Sequence, residues 1–231
     1  MKKQEVTNII PRKLIIVGAG GLGTEYAWVA EEMNRAAGEG NAIWEILGFT
    51  DDDPKKKDTT IARYPVHGTI EETFAKLGGN GICFAAAIGA NTIRKRLACA
   101  AEDLGWIPET LIHPSAIIAA DAFIGAGSYL APGTVVCPGA RLGRHVIVNT
   151  HVSVGHHSTL EDFTQLCPGA RVSGGCQVAQ YGFLGSNATL APKVVVGEGA
   201  AVGANSFVIR KVAPGMTVLG CPAMVVGKTR G

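Results

Sequence analysis

Charge is scarce in this 231-residue chain. Asp, Glu, Lys and Arg make up 17% of it, below the usual quarter, and 21 basic residues nearly balance 19 acidic ones. The only basic cluster is Lys55-Lys56-Lys57, which reads as a solvated loop, so nothing points to a nucleic-acid partner. No apolar run reaches the eighteen or so residues of a membrane helix. The opening MKKQEVTNIIPRKLIIVGAGG does not read as a secretory signal, because Arg12 and Lys13 interrupt its apolar stretch. Six cysteines are present without a CxxC pair. That excludes a zinc knuckle or a disulfide framework and suits reduced thiols in a cytoplasmic protein. With 47% apolar residues, disorder is excluded as well.

What the chain does have is glycine, 31 residues in all, and a change of pattern near residue 110. Residues 1–110 read as an α/β domain. A β-branched run, Leu14 to Val17, ends in glycines, followed by helix formers from Thr24 to Ala37. WEILGFTDDDP gives a second strand, and TIEETFAKLGG a helix with Thr69 as N-cap. GICFAAAIGA is a third strand, and NTIRKRLACAAEDLG a helix that Asn91 is placed to cap. Strands alternating with helices imply a small parallel sheet.

Residues 111–231 carry a six-residue repeat and a C-terminal tail. Every sixth residue from Ile112 to Val208, seventeen in all, is Ile, Leu or Val, with no break in phase. The following position is mostly Gly or Ala, and the fourth is small or β-branched. Such a period predicts a parallel β-helix: the aliphatic points inward, three hexapeptides make one coil, and residues eighteen apart stack. Between Ile112 and Val208 only eight charged residues occur. A free-standing prism wears more charge than that, so the repeat surface reads as buried in a homo-oligomer.

Four of the six histidines, His145, His151, His156 and His157, fall within thirteen residues. Gly174 lies eighteen after His156 and therefore one coil above it. A histidine with a backbone N–H one coil away suits acyl transfer, the imidazole acting as base and the N–H holding an oxyanion. The alternatives are a polar surface histidine or, less favoured, a zinc site. His151 and His156 resemble two ligands of the gamma-class carbonic anhydrases, but no histidine stands near Ser115 to complete the set. In the first half, Gly18-Ala19-Gly20-Gly21-Leu22-Gly23 matches GxGxxG between strand and helix. Its amides suit a phosphate or pyrophosphate, and Asp51 or Asp52 a ribose or sugar hydroxyl. The domain is short for a full dinucleotide fold, so a nucleotide sugar is the more economical ligand.

These motifs together resemble the bacterial sugar acetyltransferases that join a Rossmann-like domain to a left-handed β-helix of hexapeptide repeats. The resemblance rests on VGAGGLG, GFTDDD, AAIGANTIRKRL, LIHPSA, NTHVSVGHHSTLEDF and LGCPAMVVG. It implies an enzyme that moves an acetyl group from acetyl-coenzyme A to the amine or hydroxyl of a nucleotide-linked sugar, without a metal, as a homotrimer. On that resemblance His156 is the general base, His157 its neighbour in the catalytic site, and Gly174 the donor to the thioester carbonyl. Gln165, Ser186 and Ala204 would hold acetyl-coenzyme A; Gly20, Gly21, Asp51, Asp52 and Gly89 would hold the nucleotide sugar. Two positions depart from the family pattern. Leu22 stands where relatives usually have histidine, and Gly155 and His157 flank the base where relatives commonly place an acid. Glu161, Asp162 or a partner subunit's acid are then the candidates to tune it. A non-catalytic nucleotide-sugar-binding or scaffold protein on the same fold is the alternative reading.

Overall fold

The computed structural model describes residues 10–229; the beginning of the segment read above as carrying no secretory signal lies outside them. The chain divides into two compact units. One comprises described residues 10–88 and 97–114, the other residues 89–96 together with the repeats from Ser115.

In the first unit, β1 (Arg12–Val17) runs into α1 (Gly21–Ala37), followed by β2 (Trp44–Thr50). A two-stranded hairpin, β3 (Thr60–Ile61) and β4 (Tyr64–Pro65), precedes α2 (Ile70–Leu77) and β5 (Ile82–Ala86). Helix α3 (Asn91–Asp103) leads to β6 (Ile107–Pro108). The sheet is parallel in the order β2-β1-β5-β6. Leu14 to Val17, on the central strand β1, are buried, as are Tyr26, Val29 and Ala30 of α1. That is the near-continuous apolar burial expected of a parallel strand covered on both faces. Thr69 caps α2 in a reciprocal capping box with Glu72. Two features depart from the sequence reading. Helix α1 begins three residues before Thr24, and the fourth strand, β6, is a two-residue strand closed by proline, too short to leave a periodic signal.

The second unit is the β-helix. Each hexapeptide supplies a two-residue strand, and strands eighteen residues apart pair in parallel, as Val136 does with Val154 and Leu142 with Leu160. Three flat faces result. The first carries Ile147–Val148, Gln165–Leu166 and Phe183–Leu184. The second carries Ser153–Val154 and Arg171–Val172, and the third Thr159–Leu160 and Gln177–Val178. From Leu130 onward the repeated aliphatics up to Val208 are all buried. Burying each contributes about 1.5–3 kcal/mol. After Val208 the coil shortens to sixteen residues, pairing Val202 with Val218, and an antiparallel strand, Met224–Lys228, follows.

The corners have a regularity that composition does not announce. From Gly127 to Asn205 every sixth residue has a positive φ of 53–76°. Glycines fill this left-handed position at 127, 133, 139, 169, 175 and 199, and side chains fill it at His145, His151, His157, Phe163, Tyr181, Asn187, Lys193 and Asn205. Three of the four clustered histidines are thus six apart because each turns a successive corner.

Candidate active site

His156 follows the second-face strand Ser153–Val154, and Gly174 follows Arg171–Val172 one coil on. Both therefore occupy the corner leading from the second to the third face. A Cβ on Gly174 would fall onto the His156 imidazole, against its Nε2 and Cε1, so a side chain there would displace the ring. Among the described residues none accepts a hydrogen bond from the N–H of Gly174. His156 is exposed, and its Nδ1 lies 3.1 Å from Nδ1 of His157, the rings meeting edge to face at 5.3 Å. The corner thus brings together an imidazole, an unpaired backbone donor and a second imidazole. Together they can take a proton and hold a developing oxyanion.

His145 is not a tolerant surface position. It is 1% exposed, its ring stacks on Phe163 at 5.1 Å, and Phe163 stacks on Tyr181 at 6.0 Å. This aromatic column follows the corner from the third face to the first. Arg94, fully buried at the start of α3, donates to the carbonyls of His145 (3.1 Å), Phe163 (2.7 Å) and Thr164 (3.3 Å). The sequence reading missed Arg94, which looks like one more exposed charge in IRKRL.

Arg94 also reaches two of the predicted ligand residues. Its Nη1 donates to the Gly89 carbonyl (3.4 Å) and to Oε1 of Gln165 (3.5 Å). Gln165, 8% exposed on the first face, therefore belongs with Gly89, although the two were assigned to different ligands. A cavity of about 530 Å³ lies nearby, lined by Gly89, Asn91, Tyr181, Phe183 and Gly199 among others. Asn91 does not cap α3; its amide donates to the Tyr181 carbonyl at 2.8 Å. Ser186 and Ala204 stack one coil apart on the corner from the first face to the second, where the Ser186 carbonyl accepts from Asn205. Among the described residues, their own N–H groups, like that of Gly174, find no acceptor. One chain therefore holds His156 and the Ser186–Ala204 pair on different corners.

In the α/β unit the glycine turn separates into two kinds of glycine. Gly18 has φ +105°, and a Cβ on Gly23 would strike the Gly18 carbonyl oxygen, so the fold demands both. A Cβ on Gly20 or Gly21 would meet no atom within 4 Å; these glycines leave room. Helix α1 has no side-chain cap and no acid in its first turn, whereas α2 has both a cap and Glu71 and Glu72. The positive end of α1 is open to an anion. Asp51 is occupied within the chain. It accepts from the Ala19 N–H (2.8 Å), the Asp53 N–H (3.0 Å) and Lys56 Nζ (2.9 Å). Partial burial acts to raise its pKa, but these hydrogen bonds and the Lys56 charge hold it below the ordinary value. The lysine loop is largely solvent-exposed as expected, and within it Lys56 pairs with Asp51 and Lys57 with Glu72 at 2.6 Å. Asp52 is exposed beside them.

Comparison with known proteins places this geometry. The family described as the PglD N-terminal domain matches residues 13–101. The acetyltransferase domain of PglB from Neisseria gonorrhoeae is 33% identical with a TM-score of 0.84, covering 93% of this chain and 100% of that one. It has also been solved in complex with acetyl coenzyme A. The chain belongs to the same family of sugar acetyltransferases. PerB from Caulobacter crescentus, solved with CoA and GDP-perosamine, is 29% identical with a TM-score of 0.82, covering 93% and 97% of the two chains. Among curated protein sequences none matches.

Two sets of residues weighed from the sequence lie apart from His156 within the chain of this acetyltransferase. His151 turns the corner from the first face to the second, so within one chain it does not converge with His156. Among the described residues no group of three or more His, Cys, Asp or Glu is arranged to hold a metal ion. Glu161 and Asp162 do not reach His156 either. They sit at the corner from the third face to the first, where Asp162 accepts from the Arg144 N–H (2.7 Å) and Glu161 from the Gln180 N–H (3.0 Å). No helix among the described residues is long and apolar enough to cross a membrane.

Proposed function

We propose that the chain transfers the acetyl group of acetyl-coenzyme A to an amino or hydroxyl group of a nucleotide-linked sugar, with His156 as general base. The observation that carries this reading is the His156 imidazole over Gly174, whose N–H is unpaired. The sugar nucleophile attacks the thioester carbonyl while its proton passes to Nε2 of His156. The Gly174 N–H donates to the oxyanion that forms. Collapse expels the coenzyme A thiolate, which takes the proton back from His156.

Ser186 and Ala204 offer their N–H groups to the pantetheine arm of acetyl-coenzyme A, and Gln165 completes that site. Gly20, Gly21 and Asp52 hold the nucleotide sugar, with the α1 N-terminus at its phosphates and Asp51 bracing the turn. Because His156 and the Ser186–Ala204 pair occupy different corners of one chain, one thioester meets both only when two prisms adjoin. That, with the low charge of the repeat surface, supports a trimer. We assign the protein to the cytoplasm, where acetyl-coenzyme A and nucleotide sugars are made, and residues 1–110 and 111–231 to the sugar and acetyl-donor domains.

Titration calorimetry with acetyl-coenzyme A, followed by a thiol-release screen of UDP-, GDP- and CMP-linked amino sugars, tests the reading. Binding of acetyl-coenzyme A and thiol release with one sugar class are expected. Failure to bind acetyl-coenzyme A would overturn the reading in favour of a nucleotide-sugar-binding scaffold. Sedimentation at micromolar concentration tests the trimer; a monomer there would remove the shared donor site.

A further inference from the structure

The contact between the two exposed histidines has a proton-counting consequence. Two neutral imidazoles whose Nδ1 atoms lie 3.1 Å apart need one N–H and one lone pair between them. If His156 supplies the lone pair, its proton sits on Nε2, and Nε2, the atom against Gly174, has no room for another. If His156 supplies the N–H, Nε2 is free to accept. Only the second arrangement makes a base at the place where the Gly174 N–H is unpaired. An isolated histidine side chain favours the opposite tautomer, with its proton on Nε2, so something must reverse the preference.

We infer that His157 is the positioning residue that fixes the tautomer of His156, accepting its Nδ1–H so that Nε2 stands ready as the base. This deepens the reading of His156 as general base and rests on it. When Nε2 takes the substrate proton, His156 becomes an imidazolium whose Nδ1–H donates to the neutral Nδ1 of His157, a charge-assisted hydrogen bond. No proton need leave the pair, and the returning proton on the thiolate restores the starting state. A second proton on the pair would remove the acceptor and place two cations side by side.

The fold holds His157 for this task. Its φ of 55° is the left-handed corner position, and its ring lies over Gly139, where a Cβ would come within 2.8 Å of Cδ2 and 3.1 Å of Nε2. The turns packed below and above, residues 137–139 and 173–175, present one titratable side chain, Cys137. Lys193 is the charged residue further along the same column, beyond Gly175.

The test reads the tautomer directly, without a sugar, by nitrogen-15 NMR of the full chain carrying labelled histidine. Wild type is expected to show His156 protonated on Nδ1 and bare on Nε2 near pH 8. His157→Gly, which the left-handed φ accepts and which matches Gly139 and Gly175 in the same column, is expected to return His156 to the Nε2–H form. His157→Asn keeps an acceptor oxygen at the position of Nδ1 and a residue at home at positive φ, so it should preserve the Nδ1–H form. His157→Asp likewise keeps an acceptor oxygen beside Nδ1 and should preserve the Nδ1–H form. A wild-type His156 protonated on Nε2, or a tautomer unchanged in His157→Gly, would overturn the inference. Should His156→Ala turn over an accepted sugar at the wild-type rate, the general-base reading fails whatever the tautomer spectra show.

Discussion

The two units present backbone N–H groups to a ligand in opposite ways. In the α/β unit the donors converge at the uncapped start of α1, beside two glycines whose Cβ positions are empty. In the β-helix the unpaired donors of Gly174, Ser186 and Ala204 are spread over two corners. Ser186 and Ala204 lie one coil, about 4.8 Å, apart. Convergent donors suit compact charge such as a diphosphate. Donors on a ladder suit an extended arm whose carbonyls are themselves spaced. The comparison teaches that a glycine in this protein is informative only once it is known whether the fold needs it. Gly18 and Gly23 are explained by packing within the turn and Gly174 by the His156 ring against it, whereas Gly20 and Gly21 leave space that the proposed ligand would fill.

The largest expected effect sharpens the ladder side of that comparison. His156→Ala should lower kcat by about 10²–10⁴, the usual contribution of a positioned base, while acetyl-coenzyme A affinity by calorimetry stays nearly intact. A variant keeping more than about a tenth of wild-type kcat would break the assignment.

How much of this was legible before the structure follows from periodicity. The six-residue phase carried the β-helix and the stacking of His156 with Gly174 and of Ser186 with Ala204, because a fixed step converts sequence separation into distance. The strand–glycine–helix start and the Thr69 cap were legible from local chemistry. What periodicity did not reveal was conformation at the corners. His, Phe, Tyr and Lys are unusual left-handed residues, and the only cue was that Gly127, Gly133, Gly139, Gly169, Gly175 and Gly199 share their phase. Arg94 was hidden because three of its partners are carbonyls 51 to 70 residues away, and main-chain acceptors leave no mark in a sequence. The Asp51–Lys56 pair was hidden because a lysine run looks the same whether solvated or engaged.

A second test separates structural from chemical histidines. His145→Ala removes a buried ring stacked on Phe163 and should cost about 1–3 kcal/mol, seen as a melting temperature several degrees lower by circular dichroism. His151 is exposed, and His151→Ala should leave the melting temperature almost unchanged. Equal effects from the two would deny the aromatic column its role.

The third test turns to the convergent donors. Gly21→Val fills space that no atom of the chain occupies, so the fold should stand while the KM for the sugar nucleotide rises by roughly tenfold, about 1.4 kcal/mol. The KM for acetyl-coenzyme A should barely move. Equal weakening of both substrates in a folded variant would break the division of labour between the units.

The smallest effect is confined to the α/β unit and can be read there alone, because Trp28, Trp44 and Trp106 all lie in it. Asp51 has a pKa held below its ordinary value by Lys56 and two backbone N–H groups. A carboxylate that binds protons more weakly when folded adds stability above its unfolded pKa and loses it as pH falls through the folded pKa. Near neutral pH, Asp51→Asn should therefore lower the melting temperature followed by tryptophan fluorescence. The cost should be less than about 1 kcal/mol, because Lys56 is partly solvated. As pH falls below the ordinary carboxylate range the gap between variant and wild type should close, since the wild-type carboxyl then takes up a proton as well. A gap that persists unchanged in acid would show that Asp51 acts through its shape and not its charge. The Lys56 pairing would then contribute nothing to the turn that carries Gly20 and Gly21.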